Sequence, residues 1–119
     1  MHGVPRNLDL GFLRGTILVQ VCIGQYDVQF NFHPEGKVSV LGKWELANGS
    51  GEQLDRNFPD GSKRPPYQLH RLLGHRVVGS EVDAPRSFTL IFDSGDILRV
   101  FDDSKEYESF EIQPSGIYV

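Results

Sequence analysis

A strict alternation of side chains between residues 26 and 32 is the strongest constraint on how this chain folds. Apolar and polar residues take alternate positions there: Tyr26, Val28, Phe30 and Phe32 against Asp27, Gln29 and Asn31. Successive side chains of a strand point to opposite faces, so the pattern predicts a β-strand with one buried face. A β-branched apolar run at residues 16–23 precedes it, and Gly24-Gln25 between the two runs predicts a type II′ hairpin turn.

The same pattern returns about sixty residues later. A shift of 60 places Phe30 and Phe32 on Leu90 and Phe92, and Val38 and Val40 on Leu98 and Val100. A shift of 59 places Gly15 on Gly74 and Gly36 on Gly95. We interpret these matches as the internal duplication of an antiparallel three-stranded unit. The alternative is that two unrelated β-meanders share this spacing.

These patterns predict an all-β fold, either an antiparallel β-sandwich or a partly open barrel. The 119 residues suit one domain. We expect unit one at about 8–46, a long loop at 47–66, and unit two at about 70–119, ending in short strands near 110–112 and 117–119. We expect seven or eight strands in the complete domain. The residues expected to face a shared core are Tyr26, Val28, Phe30, Phe32, Phe88, Leu90, Phe92, Leu98 and Val100.

Composition narrows the cellular setting and the partners. Cys22 is the single cysteine, so no intrachain disulfide forms, and the reducing cytoplasm is the expected compartment. The first residues lack the apolar stretch of a signal peptide, and no apolar run approaches membrane-spanning length. The net charge of -4 argues against nucleic acid as a partner.

The residues that most often carry catalysis or bind metal form no recognisable motif. His70 and His75 are five positions apart, which fits neither one helical face nor one strand face. Nucleophile, phosphate-loop and zinc signatures are all missing from the sequence. We therefore predict no enzyme, no cofactor and no metal. The alternatives are a metal-assisted hydrolase that uses His70 or His75 with Glu108, and a β-barrel that binds a small ligand.

Charge is distributed unevenly along the chain. Residues 81–119 carry nine acidic and three basic side chains, whereas residues 1–80 carry seven acidic and nine basic ones. An acidic sector can steer a basic protein partner to one face, although it can also simply keep an edge strand soluble. The candidate partner-binding residues are Asp93, Asp96, Asp102, Asp103, Glu106 and Glu108. The uncharged edge at 117–119 further predicts a homo-oligomer formed by strand pairing.

Three segments carry a resemblance to known proteins: LLGHRV at 72–77, LIFDSGDIL at 90–98, and FDDS at 101–104 followed by YESF at 107–110. They resemble a bacterial family of small β proteins of unknown function, and similar families occur among the immunity proteins of toxin systems. The resemblance covers chiefly residues 70–112, and its motifs are mostly turn and core residues. It implies a non-enzymatic, immunity-type neutraliser of a basic toxin domain, and it carries over no catalytic residue.

Overall fold

The chain forms two five-stranded antiparallel sheets. The computed structural model describes residues 4, 8–24, 27–57, 64–102, 110–113 and 117–118, and no α-helix occurs among them. The first sheet contains, in spatial order, β1 (Ile17–Ile23), β2 (Val28–His33), β3 (Lys37–Val40), β9 (Phe110–Gln113) and β10 (Ile117–Tyr118). The second contains β5 (Gln53–Arg56), β4 (Trp44–Ala47), β8 (Ile97–Phe101), β7 (Ser87–Phe92) and β6 (Val77–Asp83). The arrangement is a β-sandwich that does not close into a barrel, which confirms the predicted fold class.

The two units exchange their later strands. β1, β2 and β3 lie side by side in the first sheet, but β4 crosses to the second sheet and pairs with β8, with Trp44 opposite Val100. In the same way, β9 leaves the second unit and pairs with β3, with Val40 opposite Phe110. Each sheet is therefore built from both halves of the chain.

A short seam of backbone hydrogen bonds joins the sheets where β1 and β6 begin. The seam consists of two bonds and their equivalents after a shift of 59 residues. Gly15 N donates to Val77 O, and the equivalent Gly74 N donates to Leu18 O, both at 2.8 Å. Val77 N donates to Thr16 O at 2.9 Å, and the equivalent Leu18 N donates to His75 O at 3.0 Å. Both strands also have a register irregularity just beyond the seam, at Val19 and at Val78. The two units are thus equivalent in hydrogen bonding as well as in sequence spacing.

The change from a shift of 59 to one of 60 occurs in a hairpin. Ile23 pairs with Val28, whereas the equivalent Val82 pairs with Phe88, so the second hairpin is one residue longer. Beyond that point the shift is 60, and the bond from Phe32 N to Gly36 O corresponds to the bond from Phe92 N to Asp96 O. The match of Gly36 with Gly95 was therefore wrong, because the extra residue lies upstream of it.

The core lies between the sheets and is aromatic and aliphatic. All the residues expected to face it are buried, apart from Tyr26, which lies outside the described residues. Two 3₁₀ turns, η1 (Gly11–Leu13) and η2 (Leu69–Leu72), precede the equivalent strands β1 and β6. They add leucines at positions related by the same shift of 59: Leu10 and Leu13 against Leu69 and Leu72.

Two local predictions were wrong. β5 lies inside the segment 47–66, which was expected to be loop because the sequence Gln-Leu-Asp-Arg has no alternating apolar pattern. Gly24 was also expected at a central position of the first hairpin turn, but it donates its N–H to the Asp27 carbonyl at 2.8 Å and so lies at the start of that turn. The described residues contain ten strands, whereas seven or eight were expected.

β1 and β10 are the edge strands of the first sheet, and β5 and β6 are those of the second. The edge at 117–119 was the predicted pairing strand, and its described residues, Ile117–Tyr118, do lie at a sheet edge. Self-association through it stays a prediction. In the part of the chain that the structure describes, every helix is too short to cross a membrane.

Gly36 is the glycine whose replacement we expect to be most damaging. Its φ is +123°, and an added Cβ would lie 2.6 Å from Cδ2 of Leu13, which is fully buried. Gly36→Ala combines left-handed strain of about 1 to 2 kcal/mol with overpacking of about 1 to 3 kcal/mol. Gly51→Ala is the matched control, because Gly51 has a φ of +88° and open space around it.

Urea denaturation of both variants separates these effects. We expect Gly36→Ala to lower the free energy of unfolding clearly more than Gly51→Ala does. Equal losses would mean that Leu13 does not constrain the turn.

Candidate functional site

A row of polar side chains crosses the outer face of the second sheet. Strand register places Glu81 opposite Thr89, Thr89 opposite Arg99, Arg99 opposite Glu45, and Glu45 opposite Arg56. Directly opposed residues of neighbouring strands lie within contact distance on one face. The sheet thus aligns side chains from five strands into one row.

Arg99 at the centre of this row has its charge balanced. Its Nε donates to Thr89 Oγ1 at 3.2 Å, and its Nη1 lies 3.5 Å from Glu45 Oε1. Gln53 donates to the other oxygen of that carboxylate at 3.1 Å. Arg99 is therefore held between Thr89 of β7 and Glu45 of β4.

A half-open cleft of about 270 Å³ lies on the β6 side of Arg99. Its lining residues are Glu81, Val82, Asp83, Ser87, Thr89 and Arg99. Glu81 and Asp83 are exposed and have no ion-pair or hydrogen-bond partner for their carboxylates among the described residues. Two unpaired carboxylates at a cleft favour a cationic ligand.

The base of the cleft holds two hydroxyl groups. Ser87 is 3% exposed and Thr89 is 6% exposed. Thr89 accepts from Arg99, whereas the Ser87 hydroxyl has no partner in the described part of the chain. Every buried side-chain nitrogen or oxygen of the described residues has a hydrogen-bond partner, so the Ser87 oxygen is open to the cleft, where a ligand can bond to it.

The equivalent face of the first sheet lacks this arrangement. Its corresponding row runs from Cys22 to Gln29, Ser39 and Glu111. Cys22 takes the position of Glu81, and Gly24 takes that of Asp83. The two units share core positions and seam bonds, yet only the second unit has two carboxylates at these positions of its outer face. The repeated fold therefore does not itself require the acidic cleft.

Of the acids predicted to contact a partner, Asp96 is buried inside the protein. Its carboxylate accepts from Arg71 Nε at 2.8 Å and from Arg71 Nη2 at 3.3 Å, and its side chain is 4% exposed. This bond to Asp96 raises the pKa of Arg71. Asp96 therefore forms an ion pair within the protein, and its contact with a partner stays a prediction.

Asp93 lies at the same turn and also has a basic neighbour. Its Oδ1 is 2.7 Å from Nδ1 of His75, and both side chains are partly exposed. Asp93 also donates its backbone N–H to Arg76 O at 2.8 Å. The hydrogen bond from His75 is the main cause of a lowered pKa for Asp93.

The length of β8 separates the predicted acidic cluster into two groups. Asp93 and Asp96 precede this strand, whereas Asp102 follows it and donates its N–H to Arg86 O at 2.8 Å, beside the β6–β7 hairpin. Asp102 therefore lies at the end of the sheet that also holds Asp83, which opposes Ser87 in the ladder. Asp103, Glu106 and Glu108 lie outside the described residues.

The lowered pKa of Asp93 gives a pH-dependent contribution to stability. A folded pKa below the unfolded value of about 3.9 means that the contribution is present above that value and is lost as pH falls through the folded pKa. We expect an NMR titration to place the Asp93 carboxyl below its ordinary range. His75→Ala should move the midpoint up, while Glu35→Gln in an exposed turn should leave it unchanged. An Asp93 midpoint that is the same with and without His75 would contradict this assignment.

The other residues examined for chemistry are dispersed. His33 and His70 are exposed, and His75 contacts Asp93 rather than His70. No three His, Cys, Asp or Glu side chains of the described residues gather as metal ligands would. Cys22 is half-buried, and Asn31 Nδ2 lies 3.9 Å from its sulfur.

Sequence reasoning missed a buried ion pair beside β5. The Arg64 side chain is 11% exposed and bonds to Asp55, whose side chain is 1% exposed. The guanidinium lies 3.4 Å from the ring centroid of Tyr67, and Asp55 also accepts from Gln68 N at 2.9 Å. This cluster fastens the segment 64–68 to β5. The nearness of a basic residue at 64 to an aromatic residue at 67 was the one sequence feature that could have indicated this cluster.

Comparison with known proteins found no matching family model, no similar curated protein and no similar solved structure. The similarity of residues 70–112 to immunity-type proteins therefore stays a prediction.

Proposed function

We propose that this chain is a non-enzymatic protein-binding module that receives a basic protein surface on the outer face of its second sheet. The observation that carries the proposal is the cleft in which Glu81 and Asp83 stand unpaired above the hydroxyls of Ser87 and Thr89. Charge complementarity of this kind steers association and selects partners.

The acidic character extends along this end of the sheet. Asp102 lies next to the β6–β7 hairpin, and Arg86 is the basic residue of the intervening turn. Asp103, Glu106 and Glu108 follow Asp102 in the sequence and remain proposed contacts. Asp93 and Asp96 lie at the opposite end and are held by His75 and Arg71, so the proposed surface centres on Glu81 and Asp83 instead.

In its specific form, the module is a cytoplasmic, immunity-type neutraliser of a basic toxin domain. A nuclease that holds phosphate has a positively charged cleft, and a protein that covers this cleft needs no catalytic group. The resemblance of residues 70–112 and the acidic surplus of residues 81–119 support this form. No contact in the described residues favours the hydrolase or the ligand-binding barrel over it.

Binding kinetics with the protein encoded by the neighbouring gene test this proposal. We expect the association rate to fall about tenfold as salt rises from about 50 mM to about 500 mM. Charge reversal at both Glu81 and Asp83 should lower the association rate at low salt by about a further tenfold. Glu35→Lys, an exposed acid in the β2–β3 turn, is the matched control and should change the rate little.

Failure to bind, or binding that is insensitive to salt, would overturn the proposal. Glu35→Lys changes the charge half as much as the double reversal does. An effect of Glu35→Lys that reaches half of the cleft effect, on a logarithmic scale of the rate, would show that only net charge matters and would overturn the assignment to this face.

A further inference from the structure

We infer that the cleft beside β6 recognises the guanidinium of an arginine side chain that projects from the partner. The inference rests on the proposed function and names the group that anchors the partner. It depends on the arrangement of oxygen atoms around the cleft, on the charge of the lining, and on the Ser87 hydroxyl, which faces the cleft without a hydrogen-bond partner among the described residues.

The charge of the lining selects a cation. Glu45 and Arg99 already neutralise each other, so Glu81 and Asp83 leave the cleft with two uncompensated negative charges. An anionic ligand would meet both carboxylates directly. A cationic group would instead restore neutrality at a surface that the partner shields from water.

The spacing of the two carboxylates favours a planar, extended cation. Glu81 and Asp83 are two residues apart on one face of β6, which places their Cβ atoms about 7 Å apart. A guanidinium has five N–H donors on separate edges and can serve two acids at once, whereas an ammonium group is a compact point charge. The pair therefore suits arginine better than lysine.

The hydroxyls at the base of the cleft complete the donor and acceptor set. The Ser87 oxygen is available to accept because no described residue donates to it, although the residue is 3% exposed. Thr89 already accepts from the Nε of Arg99, which shows that a guanidinium fits against this strand. An incoming arginine would occupy the β6 side of the same row, with Ser87 as an additional acceptor.

Titration with short peptides tests the inference on the intact chain. The probes are acetyl-Gly-Arg-Gly-amide, the lysine peptide of the same design, and the citrulline peptide, which keeps the shape of arginine but carries no charge. Two-dimensional NMR should show saturable shifts at amides of β6, β7 and residue 99, with a dissociation constant of about 1 mM for the arginine peptide. Lysine should bind about fivefold more weakly, which corresponds to the loss of about one hydrogen bond, and citrulline should give no saturable shift.

Three variants assign the effect to the cleft. The double variant Glu81→Gln, Asp83→Asn should abolish the saturable shifts, and Ser87→Ala should weaken arginine binding with less effect on lysine. Glu35→Gln is the control and should match the unaltered chain. Native-like spectra of each variant verify its folding before titration.

Two results would overturn the inference. One is equal affinity for arginine and lysine, and the other is arginine binding that survives the double variant. Either result is distinguishable from failure of the proposed function. If the cleft binds arginine and lysine equally well, association with the protein partner can still depend on salt and on Glu81 and Asp83.

Discussion

Phe88→Ala is expected to lower the free energy of unfolding by about 3 to 5 kcal/mol. Phe88 is fully buried in β7, and its ring meets the ring of Phe110 edge to face with centroids 4.8 Å apart. Phe110 belongs to β9, the strand that crosses into the first sheet. The substitution therefore leaves a cavity at a contact that joins the two sheets, and it removes a large part of the usual stability of a domain.

Urea denaturation followed by fluorescence or circular dichroism measures this loss. Val19→Ala is the control, because Val19 is 55% exposed at the irregularity of β1 and should change stability by less than about 0.5 kcal/mol. A loss below about 1 kcal/mol for Phe88→Ala would mean that the packing between the sheets differs from the one described.

Asp55→Ala is expected to cause a loss of similar size, about 3 to 5 kcal/mol, for an electrostatic reason. The Asp55 carboxylate accepts from Arg64, from Arg56 N at 2.8 Å and from Gln68 N at 2.9 Å. Its removal leaves a guanidinium that is largely buried against Tyr67 and two backbone N–H groups without this acceptor. Breaking a buried pair costs more than removing both members, since one unpaired charge stays behind.

A double-mutant cycle isolates this pair. We compare Asp55→Ala, Arg64→Ala and the double variant by denaturation. The double variant should lose clearly less free energy of unfolding than the sum of the losses of the two single variants. Strictly additive losses would mean that Asp55 and Arg64 stabilise the segment 64–68 independently of each other.

The sequence alone predicts those strands in which alternating side chains identify the buried face. Alternation at Val28, Phe30 and Phe32 predicts an inward face because the side-chain period of a strand is a property of the strand alone. The same applies to β7. The repeat was visible too, and a comparison extended upstream would have matched Leu10 and Leu13 with Leu69 and Leu72.

The alternation of side chains does not predict which distant segment a strand or a side chain contacts. Alternation states which face of β4 is buried, but it does not state that β4 pairs with β8 in the other unit. β5 was missed for a related reason, since its buried residue is Asp55, whose burial depends on Arg64 nine residues later.

The acidic cluster shows the same limit at the candidate site. Asp93, Asp96 and Asp102 are close in sequence, but β8 carries the chain across the sheet between them. His75 and Arg71, which pair with the first two, come from the segment before β6. Glu81 and Asp83 were counted in the acidic sector but were not selected, because the cleft they share with Ser87 and Thr89 forms only when β6 and β7 pair.

Carboxyl-group footprinting by mass spectrometry, on the chain alone and in complex with its basic partner, tests the central claim most directly. We expect Glu81 and Asp83 to be modified readily in the free chain and to be protected in the complex. Glu35 should be modified equally in both states, and the buried Asp96 should be modified slowly in both. Protection at Asp93 with unchanged modification of Glu81 and Asp83 would contradict the account and would move the binding surface to the opposite end of the sheet.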